Sequence, residues 1–252
     1  MKITTLLENK TTCDALRCEH GLSLYIETAK HKILFDSGAS DAFWENAKAL
    51  GIDLAQVDIA FLSHAHNDHC GGLLTFLRGN RTAKVYLQKE AFGDYYVVTP
   101  TKCAFIGLDP KLHEYADRFV MAEGVTKLDD ELTLFSGIRT HDLLSEANAT
   151  LREKVGGEYP RDTFRHEQDL LVTEHGKTVL FAGCAHSGII NIINRAEDIL
   201  DRAPDYVFAG FHLYNPSLGQ SEPRALVDAV GERLRARKAT RYVTGHCTGD
   251  DA

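Results

Sequence analysis

Six consecutive residues, His64-Ala65-His66-Asn67-Asp68-His69, carry three imidazoles and a carboxylate. Imidazole nitrogen and carboxylate oxygen are donors that suit zinc and other borderline first-row metals. The segment directly follows Val57–Leu62, a short β-rich apolar run, and so lies at a strand end. In a tight turn, His64 and His66 can face one way and Asp68 and His69 the other, offering two ligands to each of two adjacent ions. Gly71–Gly72 lets the backbone close up behind such a site. The competing reading is a histidine-rich surface loop. It requires four metal-capable residues to cluster at one strand end by accident, in a chain with only 12 histidines.

Four ligands cannot complete two sites, so others must come from elsewhere. Cys184-Ala185-His186, Phe211-His212-Leu213 and Gly245-His246-Cys247 each put a histidine at the end of a β-like run. Strand ends along one edge of a sheet are where such donors converge. For any one of the three, a hydrogen-bonded structural histidine is the alternative. Other chemistries fit less well. No Gly-X-Ser-X-Gly elbow surrounds Ser63, against a serine hydrolase. A Cys184 nucleophile paired with His186 leaves the His64–His69 cluster idle. No Gly-X-Gly-X-X-Gly follows any strand, so a nucleotide cofactor has no support.

These donors need a scaffold. Lys2–Leu7, Leu22–Thr28 and Lys32–Phe35 read as an opening meander of strands, followed by a helix from Ser40 or Asp41 to about Leu50. A helix after Gly72 leads to a strand at Lys84–Leu87. The stretch 90–164 is irregular. Strands return at Leu170–Thr173 and Thr178–Ala182, then a helix from Ile189 to about Leu200, a strand at Tyr206–Ala209, a helix near Pro223–Arg237 and a last strand at Tyr242–Val243. Strands alternating with helices in both halves predict a sandwich of mixed sheets with helices outside, in one domain spanning 1–252.

The net charge of -8, from 28 Lys+Arg against 36 Asp+Glu, opposes a nucleic-acid partner. The basic run Arg233–Arg241 reads as a solvated helix face. No apolar run approaches the ~20 residues of a membrane span, and the N-terminus lacks a signal-peptide pattern. The expectation is a cytoplasmic protein with reduced cysteines, no membrane or nucleic-acid partner, and a small-molecule substrate.

The stretch Phe35–Leu73 (FDSGAS…LSHAHNDHCGGL) resembles the metallo-β-lactamase-fold superfamily. FAGCAHSGIINI, AGFHL and TGHCTG resemble its branch of 7,8-dihydropterin-6-methyl-4-(β-D-ribofuranosyl)-aminobenzene-5′-phosphate synthase-like hydrolases. The resemblance implies an α/β fold, a four-layer αββα sandwich of two mixed sheets with helices on the outer faces and a metal site at one edge. It implies His64 and His66 on a first ion, and Asp68, His69 and His246 on a second. Cys184 stands where many members carry a bridging aspartate, either as a thiolate ligand or as a small buried residue. His141 and His166 are candidates for the remaining ligand of the first ion, with His186 as the substitute. His212 either ligates or contacts substrate.

One or two zinc ions are expected, with manganese or iron as alternatives. Relatives performing iron-based redox chemistry typically carry glutamate where His66 stands, which favours hydrolysis by metal-bound hydroxide. Asp68 would ligate and orient that hydroxide, and His212 would stabilise developing charge or protonate the leaving group. A non-catalytic metal sensor is the other class. The irregular stretch 90–164 is expected to form a lid or pocket wall, with Tyr95, Tyr96, Phe105 and Tyr159 available to line it, although ordinary core packing is the commoner role for any one of them. Arg161 and Arg165 are candidates to meet a small anionic ester, such as a phosphoester, with solvated surface arginines as an equally common alternative.

Overall fold

The structure, a computed structural model, describes residues 1–252. Its first half contributes strands β1 (Lys2–Leu7), β2 (Ser23–Glu27), β3 (Lys32–Phe35), β4 (Ile59–Phe61) and β5 (Lys84–Gln88). A hairpin follows, β6 (Tyr95–Thr99) and β7 (Lys102–Phe105), and then β8 (Phe119–Ala122). The second half contributes β9 (Val125–Lys127), β10 (Leu132–Ser136), β11 (Leu151–Glu153), β12 (Gln168–Glu174), β13 (Lys177–Phe181), β14 (Tyr206–Phe208), the short pair β15 (Tyr214–Asn215) and β16 (Gln220–Ser221), and β17 (Arg241–Val243). The helices are α1 (Ala42–Ala49), α2 (Asn67–Cys70), α3 (Leu73–Gly79), α4 (Ile189–Leu200) and α5 (Arg224–Arg235).

Two six-stranded sheets form, in the orders β1-β2-β3-β4-β5-β8 and β17-β14-β13-β12-β10-β9. Each mixes antiparallel pairs, as in β2–β3 and β12–β13, with parallel pairs, as in β3–β4 and β13–β14. Period-2 alternation assigns the faces. Ile33 and Phe35 of β3, Leu170 and Val172 of β12, and Val179 and Phe181 of β13 meet in the core between the sheets. Leu34 of β3 instead packs under Phe43 and Ala47 of α1 and Phe76 of α3. Leu180 of β13 packs under Ile189, Ile192, Ile193 and Ala196 of α4 and Val230 and Leu234 of α5. The layers are therefore helix, sheet, sheet, helix, the αββα arrangement expected. Apolar spacing of three and four along α4 and α5 explains why each helix has one buried stripe.

The parallel pairs matter most for the placement of the histidines. Each needs a crossover connection, so β4, β13, β14 and β17 all send their C-terminal ends to one edge, where a loop returns to a helix. No helix is long and apolar enough to cross a membrane.

The stretch 90–164 divides in two. β8 completes one main sheet, and β9–β10 join the other. Of its strands, only β6, β7 and β11, which pair as a separate three-stranded sheet, stand at the edge where the parallel strands end, beside the turn that carries Ala147 and Thr150.

At the far end, His31 in the β2–β3 turn ties the two sheets together. Its Nδ1 lies 2.8 Å from Asp58 Oδ2, before β4, and its Nε2 lies 2.6 Å from Asp129 Oδ2, between β9 and β10. Partial burial pulls the imidazole pKa down, but the two carboxylates outweigh it and raise it. A raised folded-state pKa stabilises fully below the unfolded value of about 6.5, and the contribution is lost as pH rises through the folded value. His31→Gln should therefore lower Tm more at about pH 5.5 than at about pH 9. The shift should be about 2–4 °C, for a half-exposed network worth ~1 kcal/mol. Equal losses at both pH values would refute the linkage.

Candidate metal centre

The strand-end loops meet over a cleft of about 370 Å³. β4 runs out through Leu62 and Ser63 into His64, and His66 caps α2, whose first turn carries Asp68 and His69. His64 and His66 thus leave an extended segment, whereas Asp68 and His69 leave a helical turn. Gly71 packs its backbone against the loop after β3. A Cβ there would stand 2.2 Å from Ala39 O and 2.6 Å from Asn67 O. Cys184 and His186 follow β13, His212 follows β14, and His246 follows β17. Asp36, Ala185, His212 and His246 all adopt left-handed φ, between 48° and 56°. Such non-glycine conformations cost of order 1–3 kcal/mol each and persist where surrounding structure fixes them.

Two groups of donor atoms result. His64, Cys184 and His186 lie within 4.8 Å of one another, as do His64, His66 and Asp68. Beside them, Asp68, His69, Cys184 and His246 form a set of four on the same criterion. Cys184 and Asp68 belong to both groups. Within the four, His69 Nε2 is 3.1 Å from Cys184 Sγ and 3.1 Å from His246 Nε2. Asp68 Oδ2 is 3.2 Å from His246 Nε2 and 3.6 Å from His69 Nε2. Tetrahedral zinc with nitrogen at ~2.0–2.1 Å puts donors about 3.3 Å apart, so these separations match the edges of such a tetrahedron.

The hydrogen bonds on the rings' far sides decide what the near sides can do. His186 Nδ1 is 2.8 Å from Asn148 Oδ1, and the Asn148 amide donates to His186 O at 2.9 Å. Nδ1 must therefore donate, leaving Nε2 a bare lone pair. Ser63 Oγ donates to Asp36 Oδ2 at 2.7 Å, so it accepts from His64 Nδ1 at 2.9 Å, and His64 Nε2 is bare as well. Yet His64 Nε2 and His186 Nε2 are 3.3 Å apart. Burial, and then the neighbouring imidazoles, push the pKa of both rings well below the ordinary range, so no proton sits between them. Two lone pairs at that distance repel unless a cation lies there. His66 Nε2, buried and without a hydrogen-bond partner, completes this side. The donor set therefore fits a metal ion.

The second group is built the same way. His69 Nδ1 donates to Asp36 Oδ2 at 2.6 Å, and His246 Nδ1 donates to Asn9 Oδ1 at 2.8 Å. Burial opposes the charged form of His246. The hydrogen bond to Asp68, with Cys247 and Glu8 nearby, outweighs it and raises the pKa to about 9. A proton thus holds the Asp68 side in the metal-free protein, and a cation would replace it.

The remaining expected residues fall as follows. His166 is buried beneath the loop. Its Nδ1 accepts from Ala65 N at 3.0 Å and its Nε2 donates to Asp162 Oδ2 at 3.0 Å, so both nitrogens are already engaged, although His166 and Asp162 lie in a donor cluster with His66. His141 is exposed and joins no donor cluster. Of the three, His186 is the one that stands beside His64, with the two Nε2 atoms 3.3 Å apart. His212 is buried, 4.2 Å from the His186 ring between centroids, with both nitrogens unpartnered. Tyr95 is buried against His166 at 4.0 Å and is core. Tyr96 and Tyr159 pack on each other, and Phe105 alone of the four aromatics lines the cleft. Arg161 and Arg165 pair with Glu146 and Glu153 at the surface and stay outside it. The cleft's lining holds one Lys or Arg, Lys102 of β7.

Sequence reasoning passed over His20, whose Nε2 lies 3.3 Å from Asp68 Oδ2 at the cleft edge. It also gave no role to Asp36, Asn9 or Asn148. Asp36 had a signal, since it closes an apolar strand just before a glycine, but His20 had none.

Nitrogen NMR of the imidazoles should show His64 and His69 protonated at Nδ1, and Asp36→Asn should shift both away from that tautomer. Nε2 protonation of these rings in the wild type would contradict the assignment.

Comparison with known proteins agrees with this geometry. The sequence profile of the Metallo-beta-lactamase superfamily matches residues 16–246. A solved structure, Tm1679, described as a metal-dependent hydrolase of the beta-lactamase superfamily, superposes with a TM-score of 0.81 at 26% identity, covering 99% of this chain and 89% of its own. The 7,8-dihydropterin-6-methyl-4-(beta-D-ribofuranosyl)-aminobenzene-5'-phosphate synthase of Methanocaldococcus jannaschii is 27% identical over 99% of this chain and 88% of its own. A second protein of that organism, MJ0448, is 28% identical over 84% and 80%. With its αββα layers, its strand-end donors and a profile match over most of its length, the chain belongs to the metallo-beta-lactamase superfamily.

Proposed function

We propose that this protein is a hydrolase of a small anionic ester, with two zinc-class ions at the cleft floor. The first would be held by His64, His66 and His186, the second by Asp68, His69 and His246, with Cys184 as the shared thiolate. The observation that carries this reading is the pair of bare, neutral nitrogens on His64 and His186, 3.3 Å apart beside the four-donor set. His66, Asp68, Cys184 and His186 also line the cleft. Such openness is the mark of catalytic rather than structural sites, and favours an enzyme over a sensor.

When bound, divalent ions supply Lewis acidity, lowering the pKa of water from 15.7 to roughly 7 and polarising a carbonyl or phosphoryl oxygen. The chain's own residues do the rest. Asp36, Ser63, Asn148 and Asn9 fix the ring orientations, so the donors need no reorganisation. Asp68 reaches the cleft with its carboxylate and can orient an attacking water, with His20 Nε2 3.3 Å from Asp68 Oδ2 at the cleft edge to receive the proton. His212 faces the same space and can stabilise charge that develops there.

The walls support the substrate class proposed. Val97, Phe105, Ile106 and Leu151 offer apolar surface, and Lys102 offers one positive charge. A phosphoester carrying an apolar or aromatic group suits this lining, in keeping with the phosphate in the name of the M. jannaschii relative.

The test is metal content together with turnover of phosphodiester, phosphomonoester, thioester and lactone substrates, before and after chelation. At least two ions per chain, with chelator-sensitive hydrolysis of one phosphoester class, is the expected result. Asp68→Ala should lower turnover by more than the 10–100-fold typical of outer-shell changes. Turnover unaffected by chelation, or full activity in Asp68→Ala, would overturn the proposal.

A further inference from the structure

Two donors in the cleft wall belong to neither proposed ion. Cys247 and His212 are both buried, at 3% and 6% exposure, and both line the cleft. Neither nitrogen of His212 has a hydrogen-bond partner. An imidazole this buried with its donor and its acceptor both unmade is unfavourable. The backbone nonetheless holds it there in a left-handed conformation, with φ 48°. Cys184 Sγ, His212 and Cys247 Sγ place one donor atom each within 4.8 Å of one another. Gly210 keeps that space open, because a Cβ there would stand 2.5 Å from Cys247 Sγ.

We propose that Cys184, His212 and Cys247 form a third ion position, opening on the cleft beside the other two and selective for a thiophilic divalent cation. Two sulfurs and one imidazole are soft donors, which select zinc or cadmium over magnesium, calcium and manganese. Three protein ligands leave a fourth position open, towards the cleft. Both sulfurs bind as thiolates, and a proton still held by the Cys247 thiol leaves to solvent. His212 then acts as a ligand and not as an acid for the leaving group. The inference rests on the two-ion reading through Cys184 alone, which the positions would share.

The test is equilibrium dialysis of the reduced, full-length protein against Cd²⁺, with thiolate-to-cadmium absorption as a second readout. Cys247→Ala and His212→Gln, each with the wild-type circular dichroism spectrum, should bind one equivalent fewer than wild type. Cys247→Ala should also lose part of the charge-transfer band. Unchanged stoichiometry and an unchanged band in both variants would overturn the third position and leave the two-ion reading standing. If the two-ion reading is what fails, wild type should bind a single equivalent. That equivalent should survive in a His64→Ala/His66→Ala variant and vanish in Cys247→Ala.

Discussion

The buried carboxylate of Asp36 is the constraint on which the site depends. It accepts Ser63 N–H and Ser63 Oγ–H, both at 2.7 Å, and His69 Nδ1–H at 2.6 Å. Through Ser63 it sets the tautomer of His64, and directly it sets that of His69. One side chain at the end of β3 thereby aims a nitrogen into each of the two donor groups. A buried carboxylate is tolerable only when its oxygens are satisfied, and here the satisfying donors are the rings to be oriented. Outer-shell partners of this kind fix ligand orientation and raise ligand basicity.

The fold explains why donors from distant parts of the chain can meet. Each half contributes parallel strands whose C-terminal ends share one edge, so the loops after β4, β13, β14 and β17 open onto the same space. Ala185, His212 and His246 bend there through left-handed backbone. That strain is offset by the hydrogen bonds around them. His186 N donates to Glu167 at 2.6 Å, Ser187 N donates to Glu167 at 2.9 Å, and Phe211 N donates to Thr248 Oγ1 at 2.9 Å. Phe164 lies flat on the His186 ring, at 4.6 Å and 4°, closing the other side. The apolar core between the sheets keeps the two halves in register, so the site inherits its rigidity from Phe35, Phe61 and Phe181.

Much of this was legible in the residues themselves. The His64–His69 run and the histidines after β13, β14 and β17 carried their own signal, because each follows an apolar strand. The helices α1, α4 and α5 showed regular apolar spacing. What was not legible depends on long-range pairing. β8 pairs with β5 and β10 with β12 across 30 or so residues, so short strands in 90–164 looked irregular until their partners were placed. The choice among His141, His166 and His186 was likewise undecidable by spacing. It turns on which nitrogens are already used, and His166 spends both on Ala65 and Asp162. Arg161 and Arg165 were open between cleft and surface for a related reason, since their glutamate partners lie 15 and 12 residues away.

The two-ion centre is tested most directly by anomalous diffraction at the zinc absorption edge from crystals of the protein purified without chelator. One peak is expected about 2.0–2.3 Å from the donors of His64, His66 and His186, and another at that distance from Asp68, His69 and His246, with Cys184 sulfur between them. Well-ordered crystals grown in zinc that show no peak at either position would contradict it.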